Sequence, residues 1–194
     1  MKADTRPVRP LRPAWQYALG VLTSACLVVL LGIALLGSDG WRQLGPFAWA
    51  LLLPGLALAL LGGSWAAAQW MSPTGRANLY VAAAGYLLGV TGILAAGERG
   101  GFSPVSTLAC FSIAAAFAAA SAAGGWLLLR QAYALRRKQI ALATGLLAGS
   151  VGFLVVQVHC ANSELRHMLL GHGLVPLAWG VLAYYSACFA GRNR

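Results

Sequence analysis

The chain has 194 residues, of which 59% are hydrophobic and only 9% charged. With a mean hydropathy of +0.71, that much apolar surface exceeds what a water-soluble core needs, so a soluble globular domain is excluded and lipid is the expected solvent. The formal charge of +10 would point to nucleic acid only if a basic soluble module were present, and the segments below leave no room for one, so no direct nucleic-acid binding is expected.

In chain order, the first element is a tail over residues 1–14, containing Arg6-Pro-Val-Arg-Pro-Leu-Arg-Pro13. Three prolines in seven residues oppose a helix and favour an extended polyproline-like arm. Such an arm acts either as a basic topological anchor or as a docking segment for a cytoplasmic protein.

Six apolar stretches follow: Trp15–Leu36, Phe47–Trp70, Leu79–Ala96, Val105–Leu129, Ile140–Val158 and Met168–Ala190. Each is close to the ~20 residues that cross a bilayer as a helix. The expected fold is an all-α integral membrane protein, a six-transmembrane-helix bundle over residues 15–191, with residues 192–194 as a C-terminal tail. The first stretch is longer than the apolar run of a signal peptide and no A-x-A site follows it, so it is read as a retained span.

Charge placement sets the expected topology. With both termini cytoplasmic, eleven basic residues lie inside: Lys2, Arg6, Arg9, Arg12, Arg76, Arg130, Arg136, Arg137, Lys138, Arg192 and Arg194. Three, Arg42, Arg99 and Arg166, lie outside. That asymmetry obeys the positive-inside rule. The bilayer, with its anionic headgroups, is then the partner for the basic face. Trp15, Tyr17, Trp70, Tyr80, Tyr133, Tyr184 and Tyr185 near inner ends, and Trp41 and Phe102 near outer ends, fit an interfacial aromatic belt.

Pro54 and Pro176 fall inside spans two and six, and Pro176 deprives the His172 carbonyl of its helical partner. Alanine and glycine crowd span four, and Gly85-x-x-x-Gly89 and Gly145-x-x-x-Gly149 mark close-approach faces. These faces suit packing within the bundle, and also permit a homo-oligomer or a packing role in a larger membrane complex.

Chemistry concentrates at one end. The hairpin of spans four and five turns at residues 130–139, and Cys110 and Cys160 each lie about 25 residues from its midpoint. Equal helical rise places them at the same outer depth. His159, His167 and His172 are nearby in sequence. Cys26 and Cys188 fall at other depths and are expected to be small apolar core residues.

Three readings of the outer pair stay open: a structural disulfide, a reversible redox or thiol-reactive switch, and a metal site. Cys110, Cys160, His159 and His172 are the candidate sensing residues; a metal would draw on Cys110, Cys160, His159, His167 and His172. No spacing here matches a standard zinc motif. His167 and His172, five apart, are expected on different parts of a helix surface. No acidic or basic side chain lies within a span, and no nucleotide-binding, metalloprotease or hydrolase motif is present, so no enzyme is expected.

Several motifs together resemble the NrsF family of six-span bacterial membrane anti-sigma factors. They are Pro7-Val8-Arg9-Pro10-Leu11-Arg12-Pro13 before span one, Ser72-Pro73-Thr74-Gly75-Arg76 after span two, Cys110 early in span four, and His159-Cys160 closing span five. The resemblance implies a bacterial inner-membrane protein that holds an extracytoplasmic-function sigma factor. It implies partner contacts at Arg6, Val8, Arg9, Leu11 and Arg12, and a stress response, heavy metals included, at Cys110 and Cys160. From the residues themselves, no resident cofactor beyond a possible metal ion is expected. Family members carry a longer helical stretch before the first motif, where this sequence has Met1–Thr5, so the inner turn Arg130–Lys138 is expected to share the partner contact. The alternative from the residues alone is a small transport or redox protein that binds metal or haem at the His/Cys cluster.

Overall fold

The computed structural model describes residues 13–71, 75–98, 100–129 and 136–190. Most of these residues are helical, because a backbone in lipid must pair its own N–H and C=O groups within each segment. The elements are α1 Ala14–Leu36, α2 Pro46–Gln69, α3 Tyr80–Ala96, α4 Pro104–Leu129, α5 Arg137–His159 and α6 Leu165–Ala190. Five of them are long and apolar enough to cross a membrane, and α3 is an apolar helix of 17 residues. The fold is that of an all-helical, multi-pass membrane bundle.

Local chemistry sets the helix ends. Pro46 and Pro104 each open a helix, where the missing N–H has no partner to lose. α1 stops at Gly37, whose φ of 82° is open to glycine. Pro54 lies inside α2 without ending it.

α5 occupies the centre, packed against α1, α2, α4 and α6, while α3 lies chiefly on α2. Large side chains point outward: Leu27, Leu30, Leu31 and Leu35 from α1, Val105 and Leu108 from α4. Much of the interior is built from small ones, with Ala25, Ala114, Ala118, Ala143 and Ala148 fully enclosed. Lipid gives no hydrophobic drive between helices, so close van der Waals approach must supply the association. The small-residue faces serve that purpose internally: Gly85 meets the α2 backbone at Gly55, and Gly149 meets α6 at Pro176.

One expectation is corrected. Cys26 is exposed on the outer face of α1, because that turn of the helix looks away from α2, α4 and α5. Ser121 Oγ is buried without a hydrogen-bond partner, whereas Thr91 and Thr144 donate to carbonyls one turn earlier in their own helices.

The connections at one end of the bundle are tied together. Glu98 N–H donates to the Ser163 carbonyl at 2.9 Å and Leu165 N–H to the Glu98 carbonyl at 2.9 Å, forming an isolated parallel bridge between Glu98 and Glu164. A 3-10 turn, Asp39–Arg42, packs onto the end of α5, and Gly40 sits so tightly on the Gln157 and Cys160 carbonyls that a Cβ would overlap them. Trp49 Nε1 donates to the Trp41 carbonyl at 2.9 Å, and the two rings stack with centroids 4.3 Å apart. Arg76 and Arg136 belong to the connections at the other end, and Arg137 and Lys138 open α5 there. The expected partner contacts Arg6, Val8, Arg9, Leu11 and Arg12 lie outside the described residues, as do residues 130–135 of the turn expected to share that contact.

Candidate metal and thiol site

Cys110 lies in the second turn of α4. Cys160 terminates α5: its N–H donates to the Val156 carbonyl at 2.7 Å, and its backbone then turns extended. Cys110 donates to Cys160 with the Sγ atoms 3.5 Å apart, and both are free thiols. The shared depth expected from the hairpin is therefore accompanied by direct contact.

The imidazoles come from the start of α6. Glu164 caps that helix, its carboxylate accepting from the N–H groups of Arg166 at 3.1 Å and His167 at 2.6 Å. After one turn the helix changes register, and Met168–Gly173 forms a π-helix in which Leu174 N–H reaches back to the Leu169 carbonyl. The expectation that His167 and His172 point apart is overturned here. In an α-helix, residues five apart are turned by about 140°. A π-turn closes i to i+5 and restores both to one face. The rings meet edge to face with centroids 5.1 Å apart. Pro176 cannot donate to the His172 carbonyl, and the next carbonyl, that of Gly173, is taken by the Tyr86 hydroxyl at 2.6 Å.

Both rings are buried, His167 at 1% and His172 at 0% exposure. Thr107 Oγ1 donates to the Ser103 carbonyl at 2.8 Å, so at 3.1 Å from His167 Nδ1 it accepts that ring's proton. This leaves His167 Nε2 as a lone pair, 3.3 Å from Cys160 Sγ. Gln157 Oε1 has no proton to give, so at 2.8 Å it requires a proton on His172 Nδ1. His172 Nε2 is then also a lone pair, and it is buried with no hydrogen-bond partner. One ligand atom from each of Cys110, Cys160, His167 and His172 lies within 4.8 Å of the others.

The Cys160 thiol, at the end of α5 beyond the span, is held below the ordinary thiol range. The bond donated by Cys110 is the main cause, with a smaller contribution from the Asn162 backbone, against the opposing effect of burial.

His159 stands apart from this group. It closes α5, is half-buried, and its Nδ1 has no hydrogen-bond partner. The cluster thus combines Cys110, Cys160 and His172 from the sensing set with His167, and leaves out His159. Thr107, Gln157 and Glu164, which orient the imidazoles, were not among the residues expected from sequence. A polar residue one turn before Cys110 (Thr107) and another one turn before Cys160 (Gln157) were the available signals.

No family model, curated protein or solved structure matches this chain. Fold and site together define a multi-pass helical membrane protein with a two-thiol, two-imidazole cluster able to hold a metal ion. The resemblance to the NrsF family rests on the sequence motifs alone.

Removing the α6 cap has a defined expected effect. Glu164→Ala should cost about 1 kcal/mol, the usual loss for a helix N-cap. It should also speed alkylation of Cys160 in detergent, because His167 is anchored through that cap. Unfolding by denaturing detergent and timed alkylation with mass readout check both effects.

Proposed function

We propose that this chain is a membrane-bound anti-sigma factor of a bacterial inner membrane. In this reading it crosses six times, keeps both termini in the cytoplasm, has no catalytic role, and holds an extracytoplasmic-function sigma factor at its basic inner face. Redox, thiol-reactive or heavy-metal stress acts on the outer thiol pair. The observation that supports this most is the contact of Cys110 with Cys160 at 3.5 Å. It joins α4 to the α5–α6 connection, so a chemical event at the pair changes how three helices pack. Such an event moves the inner face only if it favours one packing over another. Moving the balance from about 1:99 to 99:1 requires about 10⁴-fold discrimination between the two packings.

The test is capture of sigma factors on the full-length protein in detergent-solubilised membranes. The expected result is recovery of a sigma factor from reduced membranes and at least about tenfold less after diamide or Cd²⁺, the discrimination that corresponds to about 1.4 kcal/mol. Cys110→Ser and Cys160→Ser should hold the sigma factor under both conditions. Recovery of no sigma factor by correctly inserted protein would contradict the reading.

A second reading, a small membrane transport or redox protein carrying metal at the cluster, is favoured by the buried lone pair on His172 Nε2. A bare ion suits four ligand atoms within 4.8 Å better than the macrocycle of a haem. Stoichiometric metal in purified protein whose loss abolishes transport, with no sigma factor bound, would favour it.

A further inference from the structure

We propose that Cys110, Cys160, His167 and His172 form a closed, four-ligand centre for a divalent d10 cation, Zn²⁺ or its heavier analogue Cd²⁺, bound through both Sγ and both Nε2 atoms. The centre deepens the sensing reading by naming the chemical class that the site takes.

Geometry favours a tetrahedral ion. Bonds of about 2.3 Å to sulfur and about 2.0–2.1 Å to nitrogen place tetrahedral ligands about 3.8 Å apart for S–S and about 3.6 Å for S–N. The corresponding separations here are 3.5 Å between the sulfurs and 3.3 Å between Cys160 Sγ and His167 Nε2. Those two pairs must open by a few tenths of an ångström and the widest pairs, which lie within 4.8 Å, must close by at most about 1.5 Å to admit the ion.

Protonation favours it as well. A metal-binding imidazole usually donates its other N–H to an outer acceptor, which fixes tautomer and ring orientation. Both rings have that partner already, Thr107 for His167 and Gln157 for His172. Both lone pairs therefore belong to Nε2, and that of His172 is fully buried with nothing to accept.

Charge selects the ion. Two thiolates neutralise a 2+ cation, which suits a site with little water. A monovalent soft cation would leave the buried site negatively charged. Binding displaces one proton from each thiol to solvent, and no electron moves. The half-buried cysteines provide the entry side. Four protein ligands leave no open position, so the centre is structural or regulatory and not catalytic. It would tie α4, the α5–α6 connection and the π-turn to a single atom.

The test uses the full-length protein, purified reduced in detergent and equilibrated with Zn²⁺ or Cd²⁺. The expected result is one ion per chain and an X-ray absorption first shell of two sulfurs and two nitrogens. Gln157→Leu should weaken binding about 10–100-fold, as loss of an outer-shell partner does, and Gln157→Glu, which retains the acceptor, should restore it. Substoichiometric metal, a shell without nitrogen, or a Gln157→Leu protein that binds like wild type would overturn the proposal. The absorption measurement on wild type stands whether or not the variants fold. Stoichiometric metal with no sigma factor captured removes the regulator reading and keeps the centre. Sigma release by diamide from a protein that binds no metal does the reverse.

Discussion

Gly152→Leu is expected to part α4 from α5 and abolish the thiol pair. A Cβ at this position would overlap the Ala114 carbonyl oxygen, lie 2.9 Å from its carbon and 3.3 Å from the Ala118 methyl. Two of those three atoms are backbone, so no rotamer change relieves the overlap and α4 itself must move. Overpacking of this kind typically costs about 1–3 kcal/mol. Ala114 is one turn beyond Cys110 on the same helix, so the displacement carries Cys110 away from Cys160. Diamide cross-linking of the two cysteines should become at least tenfold slower than in wild type, roughly the rate cost of 1.4 kcal/mol. Gly101→Ala is the control, since a Cβ there meets nothing within 4 Å. It should leave both stability and cross-linking unchanged. Wild-type cross-linking in Gly152→Leu would mean that α4 and α5 are not packed as described.

Oxidation is expected to have the second large effect. Diamide takes two electrons and two protons from the dithiol and closes a Cys110–Cys160 bond, bringing the sulfurs from 3.5 Å to about 2.05 Å. The residues are 50 apart in sequence. Chain-entropy reasoning for a loop of that size gives about 4 kcal/mol of stabilisation. Oxidised wild-type protein should therefore resist unfolding by denaturing detergent to a higher concentration than reduced protein, while Cys160→Ser should not respond to diamide. Exclusive formation of intermolecular dimers, or a loss of stability on oxidation, would contradict the geometry. Disulfide and metal compete for the same two sulfurs, so bound Zn²⁺ should slow the oxidation.

Much of the fold was legible because lipid imposes a strong pattern. Apolar runs near twenty residues have few alternatives to a helix, and helix ends fell within a few residues of the expected spans. The meeting of Cys110 and Cys160 was partly legible too, since equal counts from a hairpin midpoint fix depth. Direction was not legible, because depth says nothing about rotation around the helix axis. That is why Cys26, expected in the core, faces outward from α1.

The imidazole pairing was hidden for a different reason. A spacing of five predicts divergence in an α-helix, and only the π-turn Met168–Gly173 brings His167 back over His172. Hydropathy does not encode that register change. Gly171 and Gly173 beside His172, with Pro176 lacking the N–H for its carbonyl, are the sequence marks that go with it. His159 attracted attention through its adjacency to Cys160, but neighbours in an ending helix point in different directions, and its ring contributes nothing to the cluster.

The central claim, two thiols in contact at one end of a membrane bundle, the outer end in the proposed topology, is tested most directly by thiol mapping in intact cells. A membrane-impermeant maleimide should label Cys110 and Cys160 and spare Cys188, and prior treatment with diamide should protect the first two together. Labelling of only one of them from outside, or protection of one without the other, would contradict it.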